Sequence, residues 1–398
     1  MAAAGWLTRV LLVLGQCFFA FHVAFTSAGK TIVAIDSYGH GDLQRSGVMA
    51  STSPQPIRRP TVARTGSAAL EDGPGASGSA LQIFPPQERQ PGVLVTLAPA
   101  SSEEMRATVA ESFGRKPKHE IAVVVLTQAN RPVELARAIA SVRAQQHVDL
   151  ELVLVVNGAH PPQTEPGDRL IVLPENVGIP AGRNVGATAA DAQLVMFLDD
   201  DAELLDPGLL AAVVDRFKAN PQLGAMAIRL MDEQGRTQRR HIPRVGARSA
   251  ERSGPVTYFI GAACVVRAAT FHGVEGFDGR FFYAMEEVDL SWRLLDAGWS
   301  IWYSADLQAF HPRTAPSRHN GYARLTARNR LWMAWRLLPA PVFAGYLLTW
   351  TSVAAARGEP LQEMLAGYRE GWSARPARQP IQWRTVFKMT LLGRPPVV

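Results

Sequence analysis

The chain has 398 residues, 47% of them apolar, enough for one large domain or two modest ones with a sizeable core, which excludes a wholly disordered protein. A formal charge of +6 and a pI near 9.6 are too moderate to argue for a nucleic-acid partner. The two cysteines, Cys17 and Cys264, lie far apart in unlike contexts, which excludes a disulfide framework and a Cys-based metal site and fits a reducing compartment.

The first segment, "WLTRVLLVLGQCFFAFHVAFTSAG", has one early arginine, then an apolar run broken by Gln16 and His22, with small residues Thr26 and Ala28 after it. Residues 1–29 read as a signal-like or weak anchor segment. Residues 30–118 are expected to be disordered, because Pro, Ser, Gly, Ala and Arg dominate without either structural period. An over-extended gene start is the other explanation, since Met105 would serve as a start just ahead of the first strand; N-terminal peptide mapping of the native protein separates the two.

Strands then alternate with helices. "IAVVVLT" is a buried strand, and "NRPVELARAIASVRAQ" an amphipathic helix with Pro132 in its first turn. "LELVLVVNG" and "RLIVLPE" are strands, and Pro180 opens a helix in "NVGIPAGRNVGATAA". "VMFLDDD" is a strand, "PGLLAAVVDRFKAN" a helix, and "LGAMAIRLM" a strand. This order predicts right-handed βαβ units and an α/β fold with a mostly parallel, Rossmann-like sheet flanked by helices. Ligands gather at the carboxyl ends of such strands, where Thr127, Asn157 and Asp199 to Asp201 fall. "TYFIGAACVVRAATF" reads as a strand running into a short helix. "GVEGFDGRFFYAMEEVDLSWRLLDAGWSIWYS" reads as a glycine-rich loop, an acidic helix start, a helix ending near Gly298, and a strand.

Between residues 313 and 336 there are six arginines and no acid, which predicts attraction to phosphates or an anionic membrane surface. The apolar run "LLPAPVFAGYLLTWTSVAAA" carries Pro339, Pro341 and Gly345 and makes a poor straight spanning helix. An interfacial helix, with Trp332, Trp335 and Trp350 at a headgroup layer, and an ordinary core helix both remain open.

The three consecutive carboxylates, Asp199, Asp200 and Asp201, follow the apolar residues 194–198. Adjacent like charges at the end of a buried strand cost roughly a few kcal/mol unless a cation or donors compensate. Four features stand in one order: "VVVLTQANRP", "LVLVVNG" with "ENVGIPAGRNVGA", "FLDDDAEL", and "GVEGFDGRFFYAMEEVDLSWRLLDAG" followed by "AFHP". This ordered set, over roughly residues 121–336, resembles the inverting family-2 glycosyltransferases of the GT-A fold, such as bacterial cell-envelope rhamnosyltransferases and galactofuranosyltransferases.

The resemblance implies metal-dependent transfer of a sugar from a nucleotide-diphosphate sugar to a cell-envelope glycan, glycolipid or polyprenyl-linked acceptor, at the cytoplasmic face of the membrane. By it, Asp199 contacts the ribose or sugar, Asp201 ligates Mg²⁺ or Mn²⁺, and Asp200 neighbours both. His311 ligates the metal or contacts the diphosphate. Arg183 and Asn184 lie beside the nucleotide, and Thr127 and Arg131 by the base and ribose. The catalytic base falls on Glu286 or Glu287, the family's Glu-Asp being Glu-Glu here. Where many relatives have Asp-Asn at the second strand end, this chain has Val156-Asn157, so Asn157 replaces a uracil-binding aspartate or the base is not uridine. The implied division is a GT-A domain at 119–330 and a helical, membrane-interfacial region at 331–398. The alternative is a non-catalytic membrane-associated scaffold that binds nucleotide. A nucleotidyltransferase would need a glycine-rich triphosphate loop, which "TQANRP" lacks.

Overall fold

The computed structural model describes residues 94–97, 116–162, 168–244, 249–313 and 321–397. The signal-like segment, Met105 and most of the stretch expected to be disordered lie outside these residues.

The sheet is built outward from β2 (His119–Thr127), which pairs in parallel with β3 (Leu150–Asn157) on one side and β5 (Ala192–Asp199) on the other. β4 (Arg169–Leu173) extends the first side, and β1 (Leu94–Leu97), a strand within the low-complexity stretch, pairs in parallel with β4. Beyond β5 the direction reverses. β9 (Ala263–Arg267) is antiparallel to β5 and to β7 (Leu223–Met231), while β10 (Ser300–Phe310) runs parallel to β7. The short strands β6 (Glu203–Leu204) and β8 (Gly254–Pro255) add antiparallel pairs to β10. The mostly parallel α/β architecture follows the sequence reading; the antiparallel insertion of β9 was not legible there.

The central strands are apolar throughout because both faces are covered. Ile121, Val123 and Val125 of β2 join Leu135, Ile139 and Val142 of α1 (Pro132–Arg143) and Leu210, Val213 and Phe217 of α3 (Leu209–Ala219) in one cluster. The alternate residues, Ala122 and Val124, face the other cluster, with Ala187 of α2 (Ile179–Ala189), Phe271 of α4 (Ala268–Gly273) and Leu290 and Leu294 of α5 (Glu286–Asp296). β2 leads to β3 on one side and its other neighbour is β5, so the chain switches direction between β2 and β5, where open α/β sheets form crevices.

Helices α6 (Tyr322–Leu337), α7 (Ala340–Ala356), α8 (Leu361–Ser373) and α9 (Trp383–Leu391) form the C-terminal region. α6 runs through residue 330, and its Leu331, Trp332 and Met333 belong to the same apolar cluster as the sheet. Val342, Tyr346, Trp350 and Ala354 recur every four residues along α7 and are its buried stripe. Among the described residues no helix is long and apolar enough to cross a membrane.

Two features of this region favour packing within the protein. Trp332 and Trp350 are buried, and the Nε1 groups of Trp332 and Trp335 donate to the carbonyls of Gly371 and Pro376 at 2.9 and 3.0 Å, so these rings pack inside the protein. The arginines are also largely engaged internally. Arg324 and Arg328 pair with Glu370 at 2.9 Å, Arg336 lies 3.3 Å from Asp278, and Arg330 stacks 4.3 Å over the Trp350 ring. Arg318 lies outside the described residues.

Candidate active site

A cleft of about 680 Å³ opens along the carboxyl ends of the parallel strands. One wall is made where β2 and β5 end. Thr127 Oγ1 donates to Asp200 Oδ2 at 2.6 Å, and Arg131 pairs with both Asp200 and Asp201. Burial pushes the Asp200 carboxyl up to about 6, against the opposing pull of Thr127 and Arg131.

His311 follows β10 and is fixed by its backbone N–H on the Met231 carbonyl at 2.9 Å. Its Nε2 lies 3.7 Å from Asp199 Oδ2 and 3.6 Å from Asp201 Oδ1. One ligand atom from each of Asp199, Asp201 and His311 lies within 4.8 Å of the others. Two carboxylates and an imidazole at this spacing suit a hard divalent cation with bonds near 2 Å. Asp199, expected at the ribose or sugar, thus lies beside the two residues expected at the metal. Burial disfavours its charge, but His311 and Arg183 outweigh that and hold its carboxyl well below the usual range. The His241 ring meets His311 edge-on at 5.4 Å. Burial above all, with the Arg240 guanidinium, holds the His241 imidazole well below its ordinary pKa.

Arg183, on α2, is the central cation. Its Nη2 donates to Asp199 Oδ1 at 2.7 Å and to the Gly261 carbonyl at 3.0 Å, while Nη1 lies 3.7 Å from Glu286 and 3.9 Å from Glu287. The Phe197 and Phe277 rings flank it at 5.9 and 6.0 Å. Burial opposes its charge, but Asp199, Glu287 and Glu286 raise its pKa further and it stays charged.

Opposite stand Glu286 and Glu287 at the start of α5. Burial first, then the charge of Glu287, pushes Glu286 up to about 8. Burial also raises Glu287, against the pull of Arg183 and a hydrogen bond from the Gly261 backbone. The two differ in access: the Glu287 side chain is 20% exposed and that of Glu286 3%. A Cβ on Gly261 would lie 2.4 Å from Arg183 Nη1 and 2.5 Å from Glu287 Oε1, so only glycine lets these two side chains close over the backbone.

Thr127, Arg131, Asn157, Arg183, Asp199, Asp200, Glu286, Glu287 and His311 all line the cleft, and Asp201 adjoins it through its place beside Asp199 and His311. Asn184 does not line it. Its side chain pairs with the backbone of Phe277, donating at 2.8 Å and accepting at 2.9 Å, so it anchors the glycine-rich loop. Asn157 is spent on its own chain, donating to Asn176 Oδ1 and the Gly178 carbonyl and accepting from Val177 N–H. The cleft also holds Arg240, His241, Tyr283 and Tyr322, which sequence reading missed. "QRRHIP" offers a basic run, but no spacing ties it to the aspartates.

Residues 123–288 match the family described as Glycosyl transferase family 2. The chain carries a family 2 glycosyl transferase domain. The domain match spans the aspartates and the glutamate pair and stops short of His311 and all of α6. The O-antigen biosynthesis protein RfbC of Myxococcus xanthus is 25% identical over 224 residues, covering 49% of this chain and 17% of the relative. An N-acetylglucosaminyl-diphospho-decaprenol L-rhamnosyltransferase of Mycobacterium tuberculosis is 34% identical over 76 residues, 19% of this chain and 25% of the relative. A pre-mycofactocin glycosyltransferase of Mycobacterium tuberculosis is 28% identical over 204 residues, 47% of this chain and 42% of the relative, so the chain spans less than half the length of these curated relatives. The solved structure of GalNAc-T7 with UDP, GalNAc and Mn²⁺ is similar with a TM-score of 0.49 at 12% identity, over 76% of this chain and 71% of that one.

Proposed function

We propose that the chain transfers a sugar from a nucleotide-diphosphate sugar to a cell-envelope glycan, glycolipid or polyprenyl-linked acceptor, with inversion at the anomeric carbon and dependence on Mg²⁺ or Mn²⁺. The observation that carries this is one cleft holding a carboxylate–imidazole cluster on one wall and a glutamate pair on the other, with Arg183 between them. The names of the relatives, O-antigen biosynthesis and decaprenol-linked rhamnosyl transfer, support an envelope acceptor.

Asp199, Asp201 and His311 would hold the cation, which when bound neutralises charge on the leaving diphosphate. Thr127 and Arg131 fix the carboxylate of Asp200 beside that cluster. Glu287 removes the proton from the acceptor hydroxyl, being the more accessible of the pair, while Glu286 holds its own proton near neutral pH and spares Glu287 a second adjacent charge. Tyr283 and Tyr322, whose rings meet at 6.3 Å beside the pair, offer apolar faces to the acceptor. Asn157 and Asn184 act by positioning loops.

We place the protein at the cytoplasmic face of the membrane, where nucleotide sugars are made, as a peripheral or weakly anchored protein. Leu361 and Leu365 on α8 and Phe387 and Leu391 on α9 are exposed pairs at helical spacing, with Arg375, Arg378, Arg384 and Lys388 nearby in the chain, a composition suited to an anionic membrane surface.

The deciding experiment is thermal stabilisation of the full chain by UDP, GDP, TDP and their common sugars, with and without Mn²⁺. Binding to the native state raises the midpoint by mass action. The expected result is a metal-requiring shift for one nucleotide that disappears in Asp201→Ala; no shift with any nucleotide or donor overturns the transferase reading, and a shift without sugar transfer favours the nucleotide-binding scaffold. Gly261→Ala tests the glutamate wall. Its Cβ drives Arg183 and Glu287 apart, so turnover is expected to fall by about tenfold or more with the metal-dependent shift retained. Unchanged turnover would mean that Glu287 need not sit against Gly261.

A further inference from the structure

Glu286 and Glu287 are presented by a strained turn. Phe282, Ala284 and Met285 have φ of 62°, 69° and 73°, in the left-handed region that non-glycine residues avoid. Phe282, with ψ −48°, centres a γ-turn closed by Tyr283 N–H on the Phe281 carbonyl at 2.6 Å, a form that is rare and strained. Such backbone persists only where its surroundings over-determine it.

The surroundings here are specific. Asn329, in the middle of α6 and 0% exposed, directs Nδ2 at three carbonyls of the turn: Phe281 at 3.0 Å, Tyr283 at 2.7 Å and Ala284 at 2.9 Å. Its Oδ1 accepts from Arg328 Nε at 3.0 Å, which fixes the amide orientation. Arg328 Nη2 adds a bond to the Phe281 carbonyl at 3.0 Å. The remaining carbonyl, Phe282, accepts from Ile179 N–H at 2.8 Å at the start of α2. A Cβ on Gly178 would come within 2.6 Å of that same oxygen, so α2 sits as close as glycine allows. All four successive carbonyls, 281–284, are thus held from outside the turn.

We propose that Asn329 is the positioning residue of the glutamate pair, holding residues 281–285 in their left-handed turn and so coupling the C-terminal helices to the chemical step. This rests on the reading of Glu287 as the base. Without the amide, the Tyr283 and Ala284 carbonyls lose this donor and the Phe281 carbonyl keeps only Arg328 and the Tyr283 N–H, so the backbone relaxes toward ordinary φ and Glu287 swings away from the acceptor hydroxyl. The cation cluster on the opposite wall is untouched.

The test uses the full chain and four variants: Asn329→Ala, Asn329→Gln, Ala284→Gly/Asn329→Ala, and Glu287→Gln as reference. Amide hydrogen exchange of the peptide across 280–290, read without any ligand, is expected to quicken in Asn329→Ala while the peptide across 194–204 is unchanged. Release of nucleoside diphosphate from the donor that the wild type uses is expected to fall about 100-fold, with the donor KM unchanged. Glycine at 284 adopts the turn without strain and is expected to restore about tenfold of that loss, which a merely structural role for Asn329 would not produce. Asn329→Gln keeps the amide but displaces it by one methylene, and carries the same readings if the alanine variant does not fold. Unchanged exchange across 280–290, or full turnover in the Asn329 variants while Glu287→Gln is inactive, overturns the proposal. Full turnover in Glu287→Gln instead removes the base reading, and the exchange result still decides whether Asn329 holds the turn.

Discussion

Glu287→Gln is expected to lower turnover by about 10²–10⁴-fold while the metal-dependent nucleotide shift stays unchanged. The amide keeps the shape of the side chain and its contact with Gly261 but cannot accept the acceptor's proton. The pH dependence follows from the pair. Both carboxyls are raised, first by burial, so at mildly acidic pH the pair holds protons that an exposed pair would have lost. Turnover therefore rises with pH as Glu287 ionises. Stability moves the other way. Glu286 is raised from 4.5 to about 8, so across that window the native state binds more protons than the unfolded chain. Its stabilising contribution is complete below the ordinary value and is lost as the pH climbs through the folded one. Glu286→Gln, a fixed mimic of the protonated form, should flatten that decline. A melting midpoint that falls equally with pH in wild type and Glu286→Gln would show that Glu286 is not the group responsible.

Much of this site could be read from the chain because its parts sit at strand ends and helix starts. Thr127, Asn157 and Asp199 end apolar runs, and Glu286 begins a helix, so period and sheet rules bring them to one edge before any coordinates are known. Other features depended on contacts between distant residues. Asn184 resembles a nucleotide contact by its place beside Arg183, yet one helical step turns it onto the backbone of Phe277, 93 positions away. The arginines of α6 look like an exposed cationic face because their partners, Glu370 and Asp278, lie more than 40 residues off in either direction. Asn329 carries no pattern at all; its meaning comes only from the carbonyls folded over it. β9 reads correctly as a strand, but its direction depends on the path of the long 232–262 connection, which no local period encodes.

Arg183→Met should be the most destabilising single change in the cleft. The guanidinium is almost wholly buried and is the nearest cation to Asp199, Glu286 and Glu287 together. Methionine fills much of the volume, so the cost is electrostatic: the two glutamates remain buried without a counter-charge. Breaking one side of a buried ion pair typically costs about 3–5 kcal/mol. The loss should itself depend on pH. Without Arg183 the glutamates rise further, so at low pH they hold their protons and the missing cation matters less, whereas at pH 8 the native state must carry unpaired charge or bind protons against the solution. The gap in melting midpoint between Arg183→Met and wild type is therefore expected to widen from pH 5 to pH 8. A gap that is constant across that range would mean that Arg183 stabilises the cleft through its stacking on Phe197 and Phe277 and its bond to Gly261, rather than by neutralising the acids.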